Sequence, residues 1–206
     1  MMEPAVTLSD YLLTVECAVC ALWCARRGTI ARGWWTLFYA SLALAALAGG
    51  TTHGFYPTDG EPIHEVLWTA TLLAIGATAW SMWRIAGSVL GWDRPWFSWA
   101  VLVPHVIYAA VVLGGVREFR AAIICYLPPT VVLLACFAWR WRRDRRGHHV
   151  IAAVGVVLTL VAAGIQVSGF GLHPIWFDHN AFYHMMQAVG LALLLPAALE
   201  RSEAGV

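Results

Sequence analysis

Seven mostly apolar stretches divide the chain, at positions 8–24, 34–55, 63–90, 96–116, 121–139, 150–170 and 177–199. Crossing a bilayer core of about 30 Å takes about 20 apolar residues in a helix. The pattern therefore predicts an all-α polytopic membrane protein, with seven transmembrane helices forming a single domain over residues 1–206. The third stretch is the longest and is expected to tilt or to project past the membrane. The first stretch does not read as a cleavable leader. Glu16 sits in its middle, and Arg26, Arg27 and Arg32 follow it rather than precede it.

The connections alternate in charge. Arg26, Arg27 and Arg32 follow the first stretch, Arg84 and Arg94 flank the third connection, five Arg crowd positions 140–146, and Arg201 follows the last stretch. On the opposite side stand only Arg117 and Arg120. The positive-inside rule then puts the N-terminus outside and the C-terminus inside. The expected location is an integral membrane position in a bacterial cytoplasmic (inner) membrane, with membrane lipids as neighbours.

Composition agrees. Apolar residues make up 60% of the chain, charged residues 12%, and mean hydropathy is +0.68. Soluble domains carry about 25% charged residues. A net charge of +1 argues against a nucleic-acid partner. Cys17, Cys20, Cys24 and Cys136 fall inside apolar stretches and Cys125 near the end of one, as packing residues do. Of the 12 Trp, those at 34, 35, 92, 96, 99, 139, 141 and 176 lie near predicted helix ends, as interfacial anchors do. Pro128–Pro129 is expected to kink or unwind the fifth helix. Gly49, Gly50, Gly155 and Gly164 allow close helix contact.

Polar residues gather at the predicted outer ends. His53 ends the second stretch, His64 and Glu65 begin the third, and Gln166 closes the sixth. The seventh opens with Asp178, His179, Asn180, His184 and Gln187. Ionisable groups in a span are expensive and by default face the bundle interior. Asn180, His184 and Gln187 share one helical face, whereas His179 lies about 140° from His184. Asp178 reads equally well as an N-cap or as a reacting carboxylate.

Three imidazoles with an open fourth position would suit zinc, whose bound water falls to a pKa of about 7. His53, His184, and His179 or His64 are the candidate ligands. Glu65 and Asp178 are the candidate bases. Glu16, Thr51, Thr52, His64, Asn180, Gln187 and Gln166 are candidates for supporting or pocket-lining roles.

This arrangement resembles the seven-helix superfamily of alkaline ceramidases, adiponectin receptors and Per1-like proteins. His53 matches the helix-two His of that superfamily, Glu65 stands about where its Asp falls, and His184 matches one of two helix-seven His. Asn180 occupies the place of the other, and Gly49 that of a Ser, for which Thr51 or Thr52 would substitute. The segment DHNAFYH is also similar to one in uncharacterised bacterial seven-helix membrane proteins. The resemblance implies a zinc-dependent hydrolase of lipid amides or esters. The alternative is a seven-helix binding, receptor or transport protein with a polar outer pocket and no catalysis, favoured by the deeper polar residues His105, Gln166 and Gln187. A haem carrier using His53 and His184 is a third possibility. The sequence has no Gly-rich phosphate loop and no Ser nucleophile elbow.

Overall fold

A computed structural model describes residues 2–27, 31–92, 94–173 and 176–200. The described residues form seven helices: α1 Pro4–Arg27, α2 Arg32–Phe55, α3 Pro62–Leu90, α4 Pro95–Leu113, α5 Phe119–Asp144, α6 Gly147–Ser168 and α7 His179–Ala198. They contain no strand, only an isolated bridge between His173 and Phe177. Arg201 of the charge pattern, and Asp93 beside Arg94, lie outside the described residues.

All helices except α2 are long and apolar enough to cross a membrane. α2 is as long as α1, but Gly, Ser, Thr, Trp and Tyr lower its hydropathy. Small residues suit its position, because it packs against both α1 and α3. Six helices close a ring in the order α1, α2, α3, α5, α6, α7 and back to α1, while α4 leans on the outside of α3. The Tyr39 hydroxyl, fully buried, ties α2 to α7 by donating to the Leu191 carbonyl at 2.9 Å.

Helix ends follow local chemistry. Pro62 and Pro95 occupy first-turn positions of α3 and α4, where the missing N–H costs nothing. Asp178 caps α7 by accepting from the Ala181 N–H at 2.8 Å. α4 stops at Leu113, three residues short of the apolar pattern, where Gly114 and Gly115 follow. α5 runs on through its basic segment to Asp144. It also stays helical through Pro128 and Pro129, so the expected local unwinding does not occur.

Glycines set helix spacing at several seams. A Cβ on Gly155 of α6 would meet the Gly190 carbonyl oxygen of α7 at 2.5 Å. A Cβ on Gly50 of α2 would meet the Asp10 Cβ of α1 at 2.6 Å. The aromatic reading needs one correction. Trp35 is not an interfacial anchor: it is buried in the core, stacked on Tyr39 and Phe137. Trp92, Trp96, Trp99 and Trp176 are exposed, as anchors are.

Candidate functional site

The buried residues of α1 include Val6, Asp10, Leu13, Cys17, Cys20 and Cys24, a three-four spacing that forms one helical stripe. Asp10 therefore occupies a core position and is buried. It meets His184 of α7, whose Nε2 lies 3.3 Å from Asp10 Oδ1. The other ring nitrogen, Nδ1, lies 3.1 Å from Ser9 Oγ.

Hydrogen accounting fixes the roles. The Ser9 hydroxyl has one proton and donates it to the Val6 carbonyl at 2.8 Å. It must then accept from His184, so Nδ1 carries a hydrogen. The Nε2 contact with Asp10 is attractive only if a further proton lies between carboxyl and imidazole. Asp10 and His184 are in ion-pair contact without hydrogen-bond alignment, and a proton on either group makes that contact attractive.

This pair forms part of the wall of a cavity of about 260 Å³ that also touches Gly49, His53, Trp68, Thr71, Gln166, Asn180, Tyr183 and Gln187. The side amide of Gln166 donates to Asn180 Oδ1 at 3.4 Å, joining α6 to α7 at the rim. A smaller cavity of about 90 Å³ adjoins it and shares Leu42, Ile75, Tyr183 and Gln187. Toward the helix ends lies a larger vestibule of about 540 Å³, lined by Glu3, Thr52, Asp59, His64, Glu65 and Arg117 among others. His53 and Trp68 line both vestibule and inner cavity and mark their junction. Their rings meet edge to face, 6.1 Å apart.

The residues expected to act together are therefore distributed over several places. His53 and His184 do share a cavity, with Asn180, Gln166 and Gln187. His53 turns Nδ1 to Glu3 Oε2 at 3.1 Å. His64 uses both nitrogens, one on the Tyr56 carbonyl at 2.7 Å and one on Asp59 at 3.0 Å. Glu65 pairs with Arg117 in the vestibule and accepts from the Gly60 N–H at 3.2 Å. Asp178 is engaged as the cap of α7, and His179, half-buried on the first turn, is not among the residues of the cavity wall. Thr51 bonds Tyr11 at 3.1 Å, and Thr52 is spent on the Ala48 carbonyl. Glu16 lies outside the cavity wall, half-buried, with Oε1 unpartnered.

Zinc does not fit the set His53, His179 and His184. A zinc centre needs three ligand atoms converging on one point. Both nitrogens of His184 are engaged, and among the described residues only His148, His149 and Glu200 bring three such atoms within 4.8 Å.

Ser9 and Asp10 are the residues that sequence reasoning missed. The signal was present: Asp10 is the one charged member of the α1 core stripe.

A family model matches residues 5–203, from the first turn of α1 to beyond the end of α7. The chain belongs to the family of unknown function DUF6962. No curated protein matches it. The match covers the whole helical ring, so Ser9, Asp10, His53 and His184 all fall inside the DUF6962 unit.

Proposed function

We propose that this protein is a seven-helix membrane binding or transport protein that takes a small hydrogen-bonding solute into the cavity inside the ring of α1, α2, α3, α5, α6 and α7. One observation carries the reading: a buried Asp10–His184 pair borders a largely apolar cavity that holds a few polar groups and meets an open vestibule at His53 and Trp68. Buried charges are tolerated in a span when paired, and there they mark ligand or proton routes. A carboxyl and an imidazole at this contact can each donate to or accept from a solute, according to which of them carries the proton. Gln166, Asn180 and Gln187 add amide donors and acceptors to the same space. Trp68, Phe119 and Tyr183 supply apolar walls that select a compact solute.

The hydrolase reading, and the relation to ceramidase-like proteins behind it, would need another way to activate water. Zinc on the three expected His is not supported by their geometry, and Glu65 and Asp178 are committed to other partners.

In the orientation we propose, the vestibule opens outside and the Arg-rich end faces the cytoplasm. Eleven of the 13 Arg support this placement. The lipid-facing surface is the apolar exterior of the ring together with α4, which exposes Val103, Val106, Ile107 and Val111.

The test is cysteine accessibility in sealed, right-side-out vesicles. Asn180→Cys should react with a charged, membrane-impermeant methanethiosulfonate added outside, at a rate well above the wild-type background. A second change, Gly49→Leu, should fill the cavity and slow that reaction at least tenfold. Equal labelling of Asn180→Cys with and without Gly49→Leu would remove the solute-cavity reading.

A further inference from the structure

The basic end of the bundle holds a second cluster of chemistry. α5 ends at Asp144, and Arg145 takes a left-handed conformation with φ 56°. The chain reverses there, bringing the first turn of α6 back over the end of α5. His149 on that turn is 2% exposed. Its Nε2 lies 3.1 Å from Asp144 Oδ2. That contact leaves Nδ1, which is buried and has no hydrogen-bond partner.

His148 stands beside it, the ring centroids 4.2 Å apart. Its Nε2 lies 3.2 Å from Glu200 Oε1, without hydrogen-bond alignment. One ligand atom from each of His148, His149 and Glu200 falls within 4.8 Å of the other two.

An unpartnered buried imidazole nitrogen is costly, and structures rarely leave one without a use. Here two residues with such nitrogens stand beside a carboxylate, each offering one ligand atom within reach of the other two. The carboxylate on the far nitrogen of His149 is the arrangement that orients an imidazole toward a metal. Around a tetrahedral zinc ion, nitrogen and oxygen ligands stand about 3.4 Å apart, so side-chain adjustments of about an ångström would close the site. Glu200 also accepts from Arg146 at 3.0 Å, and Arg140 lies 3.7 Å from Asp144, so the ion would compete with guanidiniums for both carboxylates.

We propose that His148, His149 and Glu200 bind a divalent transition metal of the zinc class at the Arg-rich end, with Asp144 orienting His149 and water completing the shell. The ligands are mixed nitrogen and oxygen, which suits zinc or cobalt better than calcium or magnesium. The ion fastens the start of α6 to the chain just past α7, while Asp144 links the end of α5 to the same point. The site stands at the opposite end of the bundle from the Asp10–His184 cavity and does not depend on how that cavity is used.

The test uses the full-length chain in detergent, without a polyhistidine tag, stripped with a chelator and titrated with Co2+. The expected result is one Co2+ per chain with visible ligand-field absorption, displaced by Zn2+. His149→Ala should abolish the signal. His148→Ala, at a half-buried position and easier on folding, should also abolish it while leaving the gel-filtration profile unchanged. Asp144→Asn, which keeps all three ligands, should weaken binding roughly 10–100-fold. Three results would overturn the proposal: no cobalt absorption in the wild type, absorption unchanged in folded His148→Ala and Glu200→Gln, or absorption lost in His53→Ala but retained in those two.

Discussion

The contact between Gly50 and Asp10 gives a sharp test of how the helix spacing builds the cavity. In Gly50→Ala, the new Cβ would lie 2.6 Å from the Asp10 Cβ. Carbon atoms rest at about 3.5–4.0 Å, so the deficit is roughly 1 Å. Asp10 cannot relieve it by changing rotamer, because a Cβ is fixed to the backbone. α1 and α2 must separate instead. Overpacking of this kind costs about 1–3 kcal/mol, and the gain in helix propensity returns up to about 1 kcal/mol. The net expectation is a destabilisation of roughly 1–2 kcal/mol. The separation also pulls Asp10 from His184, whose contact at 3.3 Å has little slack. The control is Gly164→Ala in α6, where an added Cβ meets nothing within 4 Å. That variant should be neutral or more stable, by up to about 1 kcal/mol. Thermal unfolding in detergent, followed by tryptophan fluorescence, reads both. Gly50→Ala melting at or above the wild type, with Gly164→Ala behaving as expected, would refute the close-packing account of the α1–α2 seam.

Three further outcomes follow from the same geometry. Asp10→Ala leaves His184 Nε2 without its partner and should cost about 1–3 kcal/mol, whereas Asp10→Asn keeps a donor there and should cost less; equal melting temperatures for the two would contradict the hydrogen accounting. Tyr39→Phe removes a buried bond to the Leu191 carbonyl and should cost about 0.5–1.5 kcal/mol in the same assay; an unchanged melting temperature would place that hydroxyl outside the stabilising network. Glu65→Gln should leave reaction of Asn180→Cys within about twofold, because Glu65 is committed to Arg117 in the vestibule and does not line the inner cavity; a tenfold loss would return Glu65 to the cavity.

The apolar pattern was enough to find every helix, because bilayer thickness fixes the length of apolar sequence a span requires and no tertiary contact alters that. It missed helix ends where capping chemistry competes with hydropathy. α5 continues through charged residues to Asp144 because arginines near a helix C-terminus are favourable to its dipole, and α4 stops early at two glycines. It also misjudged Trp35, since position near a helix end says nothing about which face of the helix meets the core.

The candidate site was legible in part. Placing His53, His184, Asn180, Gln166 and Gln187 at one depth is a matter of counting residues along alternating helices, and those five line one cavity. Which side chains touch is a different kind of fact. Glu65 and Arg117 are brought together only when α3 and the turn before α5 pack side by side, and Asp178 caps its own helix because Ala181 offers an N–H three residues on. Asp10 could be recognised as a member of a core stripe from its spacing to Val6, Leu13 and Cys17. Its partner could not, because α1 and α7 are separated by nearly the whole chain and meet only when the ring closes. The sequence by itself determined how many helices there are and at which helix ends their polar residues gather, through local periodicity and the cost of polar groups in apolar surroundings. Only the tertiary structure decided that His184 faces Asp10 and Ser9, because that choice depends on rotation and approach of helices, set at Gly50 by sterics that no local pattern encodes.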